Sequence, residues 1–273
     1  MKSINKINNI YKSEVGDKLA VEELLPLVKK YVKVENPKIL EVGCGYGRNL
    51  FALSHLKNSE VVGCDISKNE LKKAQIKMDK YGIKNVQLSL QTDNNKLPFV
   101  DNSFDLVVMW QVLEHVFSEE EKKNLINEVM RVLKKGGYVL IETPNWLFPF
   151  DYHDNNLPLV HWVFPDCWRQ FITTRIRKEK FPPSQYTTIC QIKKFISKSS
   201  YIKSFKQVTK IYFEESYLDI FRHLGGTRKG FKVLFFLLYA PMYYTLRIMG
   251  FSGDTLTPSI RVIFKVDKKC SKW

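Results

Sequence analysis

The side chains able to do chemistry fall in five short stretches of this 273-residue chain. The first is EVGCGYGRN, residues 41–49. Glycine at 43 and 45 can take positive φ and has no Cβ, so the backbone can approach a ligand closely. Gly47 opens the next helix, whose first N–H groups suit a carboxylate or phosphate. A GxGxG run by itself fits any nucleotide cofactor, or a tight strand–helix turn. Asp65, 18 residues after Gly47, can accept hydrogen bonds from ribose hydroxyls. Thr92-Asp93-Asn94 and Trp110-Gln111-Val112-Leu113-Glu114-His115 follow. The imidazole of His115 titrates near neutrality and can act as a base; packing beside a cofactor is the open alternative. The fifth stretch, DYHDNNLPLVHW (151–162), holds Asp151, His153, Asp154 and His161. It fits an acceptor wall with His153 or Asp151 as base or orienter, and it also fits a buried loop with satisfied polar groups. No metal is expected, because this ligand set suits several geometries and nothing else supports one.

The elements that must position these groups alternate. A helix is expected at 18–33 despite Pro26, then strands at 38–43, 60–65, 86–91, 104–112 and 137–144. Helices are expected at 46–56, 67–82 and 119–137. The helix at 67–82 carries Ser67 as N-cap, Glu70 closing a capping box and Gly82 as C-cap. Such alternation means a parallel sheet with helices on both faces, and the chemical groups fall at the carboxyl ends of its strands, where open α/β sheets bind ligands. After Pro144 no clean period appears until a helix at 191–199. Two late strands, 208–215 and 259–266, flank an insertion at 216–258.

EVGCGYGRN, VVGCDIS, TDNNKLPFVDNSFDLV, WQVLEHV and VLKKGGYVLIETPN together resemble, in order and spacing, the class I S-adenosylmethionine-dependent methyltransferases of the type 11-like group. The resemblance spans about residues 35–145. It implies a Rossmann-like α/β fold: a seven-stranded, mostly parallel sheet with helices on both faces and a reversed last hairpin. It also implies S-adenosyl-L-methionine as cofactor. On this resemblance Gly43, Gly45 and Gly47 pass the methionine end of the cofactor, and Glu41 orients the loop. Asp65 binds the ribose and Ile66 packs on the adenine. Asp93, with Asn94 beside it, reads the adenine amino group, and Gln111 and His115 line the methionine side. A dehydrogenase is disfavoured, because GxGxxG spacing is absent. More loosely, 144–165 and 181–195 resemble members associated with glycan and cell-envelope lipid pathways, which would make the acceptor a sugar or polyprenol-like hydroxyl.

Charge separates the chain into two parts. Residues 171–273 hold 20 basic and 6 acidic side chains, whereas residues 1–170 are nearly neutral. A basic last third suits a polyanionic partner such as phospholipid head groups, a pyrophosphate-linked substrate or nucleic acid. Within the insertion, VLFFLLYAPMYYTL (233–246) is uncharged, rich in aromatics and flanked by Arg228, Lys229, Lys232 and Arg247. It is too short to span a bilayer. It suits an interfacial helix or hairpin, or a helix packed on the sheet. The five cysteines form no CxxC pair and the amino terminus is polar, so a reduced cytoplasmic protein is expected, peripheral on the inner face of the membrane. The expected organisation is an N-terminal helical segment (1–34), a cofactor-binding core (35–145), an acceptor-side cap (146–200) and a last part (201–273) with the insertion. The expected activity is O-methylation of a lipid-linked, glycan or other small hydroxyl acceptor at a membrane surface. An RNA methyltransferase using the basic third is the alternative, and a non-catalytic cofactor-binding module is a second.

Overall fold

A computed structural model describes residues 20–93, 96–151, 153–154, 157–178, 184–209, 237, 239–241, 243–246, 248–250 and 257–269. The chain begins with a π-helical turn over Ala20–Leu24 that runs into α1 (Leu25–Tyr31), with Pro26 in the first turn, where its missing N–H costs nothing. Then come β1 (Lys38–Val42), α2 (Arg48–Ser54), β2 (Glu60–Asp65), α3 (Lys68–Lys80), β3 (Val86–Leu90), β4 (Phe104–Trp110), α4 (Glu119–Val132) and β5 (Leu133–Pro144). A small hairpin follows, β6 (Phe150–Asp151) with β7 (Leu157–Pro158), and then α5 (Val160–Val163), α6 (Asp166–Arg177), α7 (Ile189–Ser197), β8 (Ile202–Gln207) and β9 (Ser259–Lys268).

The main sheet has seven strands in the order β3-β2-β1-β4-β5-β9-β8. Strands β1 to β5 pair in parallel, and β9 runs antiparallel between β5 and β8, the reversed hairpin that the resemblance implies. Because the central strands are covered on both faces, their side chains alternate between two cores. Leu106, Val108 and Leu140 pack with α1, α2 and α3 on one face. Val107, Met109, Val139 and Ile141 pack with α4 and α7 on the other. This two-sided burial is why the strands read as continuous apolar runs.

Some boundaries differ from expectation, for local reasons. The capping box at α3 is half made: Ser67 Oγ accepts from the Glu70 N–H, but the Glu70 carboxylate turns to Lys73. Helix α4 stops at Val132 rather than running to Gly137, and Leu133–Gly137 already belong to β5. The carbonyls at the stop find partners outside the helix: Arg131 and Val132 accept from the Asn102 and Ser103 N–H groups, and Lys268 donates to Arg131 and Leu133. The strand expected at 208–215 is β8 at Ile202–Gln207, and 210–215 lie outside the described residues. As an edge strand, β8 packs chiefly through Phe205 against Phe264 (5.5 Å between rings), so its sequence lacks an apolar run.

Residues 145–190, expected to have no regular period, contain α6, which the pattern hid because Trp168 and Phe171 face outward. Most of the insertion lies outside the described residues. Where described between 237 and 248 it is helical, with Tyr239 and Tyr243 buried and Phe148 packed edge-on against Tyr239. Part of the aromatic stripe is therefore core. Leu237, Ile248 and Met249 stay exposed. Among the described residues no helix is long and apolar enough to cross a membrane.

Candidate active site

The turn after β1 is shaped by what cannot fit there. Gly43 has φ +68°, and a Cβ on it would sit 2.7 Å from Val112 Cγ2. Gly45 has φ +49° with no atom within 4 Å of where its Cβ would lie, so the loop presents bare backbone to open space. Asp65, at the end of β2, ties this loop down. Its two carboxylate oxygens accept from the Gly45 and Ser67 N–H groups, each at 2.8 Å. Behind the loop the buried Glu41 accepts from Asn49 of α2 at 2.7 Å, and its other oxygen has no partner. Burial pushes its carboxyl up to about 8.

The cavity beside this loop is about 470 Å³. Of the expected cofactor residues, Gly43, Asp65, Ile66 and Gln111 line it, as does His115. Glu41, Gly45, Gly47 and Asp93 are not part of the lining. Asp93 bridges to Lys96, and its carbonyl accepts from Gln91, the side chain that does reach the wall. Asn94 lies outside the described residues. Sequence reasoning missed Gln91, Phe117 and Glu121; no residue-type signal marks them, because the strand-end position alone puts them there. Gln111 has φ +57°, uncommon for a residue with a Cβ, and its N–H is held by the Glu142 carbonyl at 2.9 Å. This kink turns the chain from β4 into the 3₁₀ turn Leu113–His115.

That turn supplies the acceptor side. Glu114 is fully buried; one oxygen accepts from Thr143 Oγ1 at 3.1 Å and the other lies 3.8 Å from His153 Nε2. The other ring nitrogen of His153, Nδ1, sits 3.0 Å from Asp154 Oδ1. Asp154 also accepts from the Ser184 N–H, Ser184 Oγ and Arg169, so it is held on every side. The rings of His115 and His153 are 6.0 Å apart. Their environments push them in opposite directions. Burial, then the neighbouring His153, lowers His115, outweighing Asp154. For His153 burial acts downward, but the hydrogen bond to Asp154 and the Glu114 carboxylate overcome it and raise it. Burial raises Glu114 to about 7.

Asp151, also expected as base or orienter, is turned away from the two histidines. Its carboxylate accepts from the Tyr186 hydroxyl and the Asp154 N–H, which anchors the loop. His161 is likewise buried, with Nε2 on the Trp146 carbonyl at 3.1 Å. Glu114, His115 and His153 each place one ligand atom within 4.8 Å of the others, a grouping that could hold a metal ion but is too wide for one shared proton. Segment 184–187 closes the site from behind: Gln185 N–H donates to the Glu114 carbonyl, and Lys122 of α4 donates to Gln185 O and Thr187 Oγ1.

The methyltransferase-domain family profile matches residues 39–137, the span from β1 to the start of β5. Residues 39–137 are a methyltransferase domain. Curated relatives include a phosphatidylethanolamine N-methyltransferase of Cereibacter sphaeroides, 34% identical over 111 residues, 41% of this chain and 52% of the relative. A demethylmenaquinone methyltransferase of Lactococcus lactis is 31% identical over 156 residues, 54% of this chain and 60% of the relative. The chain spans about half the length of the first of these and not much more of the second. Among solved structures, geranyl diphosphate C-methyltransferase from Streptomyces coelicolor superposes with TM-score 0.55 at 13% identity, covering 91% of this chain and 79% of that one. At such identity the match shows the fold.

The resemblance of residues 35–145 implies S-adenosylmethionine as the cofactor of this methyltransferase domain. Its residues fit that group on three observations. Ile66 stands 65% exposed at the cavity rim, an apolar face suited to a purine ring. Gly45 leaves open the space a Cβ would fill. A buried carboxylate oxygen of Glu41 lacks a partner directly behind the loop.

Proposed function

We propose that the protein methylates a hydroxyl on a lipid-linked, glycan or other small acceptor at a membrane surface. Bound to the loop, S-adenosylmethionine supplies a methyl group already activated on a sulfonium. Gly43, Asp65, Ile66 and Gln111 would hold it against the end of the sheet, with Asp65 facing the ribose. The protein's remaining tasks are to align the hydroxyl and take its proton. His115 is the base, because burial keeps its imidazole neutral at physiological pH, and the acceptor's proton passes to its ring. His153, whose protonated form Asp154 and Glu114 favour, orients the acceptor oxygen and stabilises the negative charge that grows on it. Asp154 is a positioning residue, and Asp151 secures the loop that carries both.

The observation that carries this reading is the His115–His153 pair, with His115 on the cavity wall, the His153 ring 6.0 Å from it, and the two shifted in opposite directions. The lipid-like acceptors named for relatives support the acceptor class: a sterol, a phosphatidylethanolamine and a demethylmenaquinone. A methyl-labelled cofactor incubated with a membrane extract tests it. Label should enter the organic phase as a methyl ether, and Asp65→Ala should abolish this. Label confined to RNA, or to water-soluble compounds without a lipid or glycan hydroxyl, would overturn the assignment.

A further inference from the structure

The cap carries a surface that the chemistry above leaves unused. Helix α6 buries Arg169 and Thr173, one turn apart, and turns Trp168, Phe171 and Arg175 outward on the opposite face. Lys178, exposed at the end of the helix, continues that face, because positions three, seven and ten residues after Trp168 stack along one side. Trp168 and Phe171 meet edge to face at 6.1 Å, and the Arg175 guanidinium lies 5.3 Å from the Phe171 ring. Trp168 and Phe171 are 56% and 53% exposed, and just before α6 in the chain Trp162 and Phe164 are 41% and 40% exposed. Soluble surfaces rarely gather apolar rings in this way without a partner.

We propose that this face of the cap docks on an anionic lipid bilayer, with Trp162, Phe164, Trp168 and Phe171 at the head-group level and Arg175 and Lys178 on lipid phosphates. Tryptophan with flanking arginine and lysine is the composition of a bilayer interface, and the lysine favours it over a protein contact, which is enriched in aromatics and arginine but depleted in lysine. The only acidic side chain on α6, Asp166, is engaged by Arg169 and Gln185. The cap follows β5 at the carboxyl end of the sheet, the end that holds the cavity. Docking through it therefore brings the acceptor side against the membrane. It also moves the contact from the aromatic stripe at 231–251, part of which is core, to the cap. The inference rests on the lipid-acceptor reading for its purpose, but its test does not.

Flotation of the full chain with phosphatidylcholine vesicles, with and without phosphatidylglycerol, decides it. The wild type should float with the anionic vesicles and remain bound beyond about 0.3 M salt, where a purely electrostatic contact is screened. Brominated lipid should quench its tryptophan emission. Trp168→Ser/Phe171→Ser should lose binding by about tenfold or more, while S-adenosylhomocysteine binding by calorimetry stays intact and shows the domain folded. Arg175→Glu/Lys178→Glu should lose only the preference for anionic lipid. A wild type that binds S-adenosylhomocysteine but no vesicle overturns the proposal. So does a serine variant that floats equally well, or a wild-type dimer in sedimentation that the serine variant dissolves, which would make the face a contact between copies. Flotation without label in the lipid fraction would sink the acceptor reading and leave the docking surface standing.

Discussion

The two walls of the cavity are built in different ways. The cofactor wall is backbone held close along the chain: Gly43 passes under Val112 with its N–H on the Cys64 carbonyl, and one carboxylate, Asp65, fastens the loop through the Gly45 and Ser67 N–H groups. The other side, which meets the cavity at His115, is side chain held by side chain across long separations: Glu114 meets Thr143, His153 meets Asp154, and Asp154 meets Arg169 and Ser184. The first arrangement tolerates almost no added atom. The second tolerates changes of shape but depends on charge, because each buried carboxylate there is offset by a particular donor. A geometric lesion should therefore cripple the first wall, and an isosteric charge change the second.

The largest effect is expected from Gly43→Val, which combines a 2.7 Å overlap with a φ that valine avoids. It should cost about 3 kcal/mol or more of stability, read by thermal unfolding, and abolish S-adenosylhomocysteine binding by calorimetry. Next comes His115→Ala, expected to lower kcat by about 10²–10⁴-fold with cofactor affinity unchanged. Its lowered pKa places the wild-type rise of rate with pH below the ordinary histidine range, and the variant should lack that rise. An equal loss of cofactor affinity would mean that His115 belongs to the first wall instead. Asp154→Asn should cost less, about tenfold in kcat, and shift the second limb of the pH profile to lower pH as His153 loses its partner.

A smaller effect separates the walls by stability. Glu41, behind the first, and Glu114, in the second, both have folded-state values raised above those of the unfolded chain, to about 8 and about 7. A raised folded value gives stability that is present at low pH and lost as pH rises through it. Thermal unfolding temperature should thus climb as pH falls from 8 towards 6, and Glu41→Gln should flatten that climb in its upper part and Glu114→Gln in its lower part. The smallest effect is expected from metal removal. A chelator should leave turnover unchanged if the Glu114–His115–His153 group works without metal, and a loss restored by a divalent cation would show that it binds metal.

Much of the first wall was legible in the sequence, because its parts follow one another along the chain. Gly43, Asp65, Ile66 and Gln111 sit at strand ends marked by local apolar runs, and strand–helix alternation fixes which end of the sheet they share. Even there Gln91 rather than Asp93 reaches the cavity wall, since the chain has left β3 at Leu90 and turns back through the Asp93–Lys96 backbone bridge. The second wall was legible only as a list of polar residue types. His115 and His153 stood out as imidazoles, but Asp151 and Asp154 looked alike three positions apart, and Ser184 and Thr143 carried no mark at all.

The sequence by itself determined the strand–helix alternation and the glycine turn, because these depend on periodicity and on contacts between chain neighbours, and its resemblance to the class I methyltransferases implied the cofactor. Only the tertiary structure decided that Asp154 rather than Asp151 orients His153, that the stripe near Tyr239 and Tyr243 is partly core, and that Trp168 and Phe171 face out. Those outcomes depend on which side chains from distant segments exclude water from one another, and no local spacing encodes that.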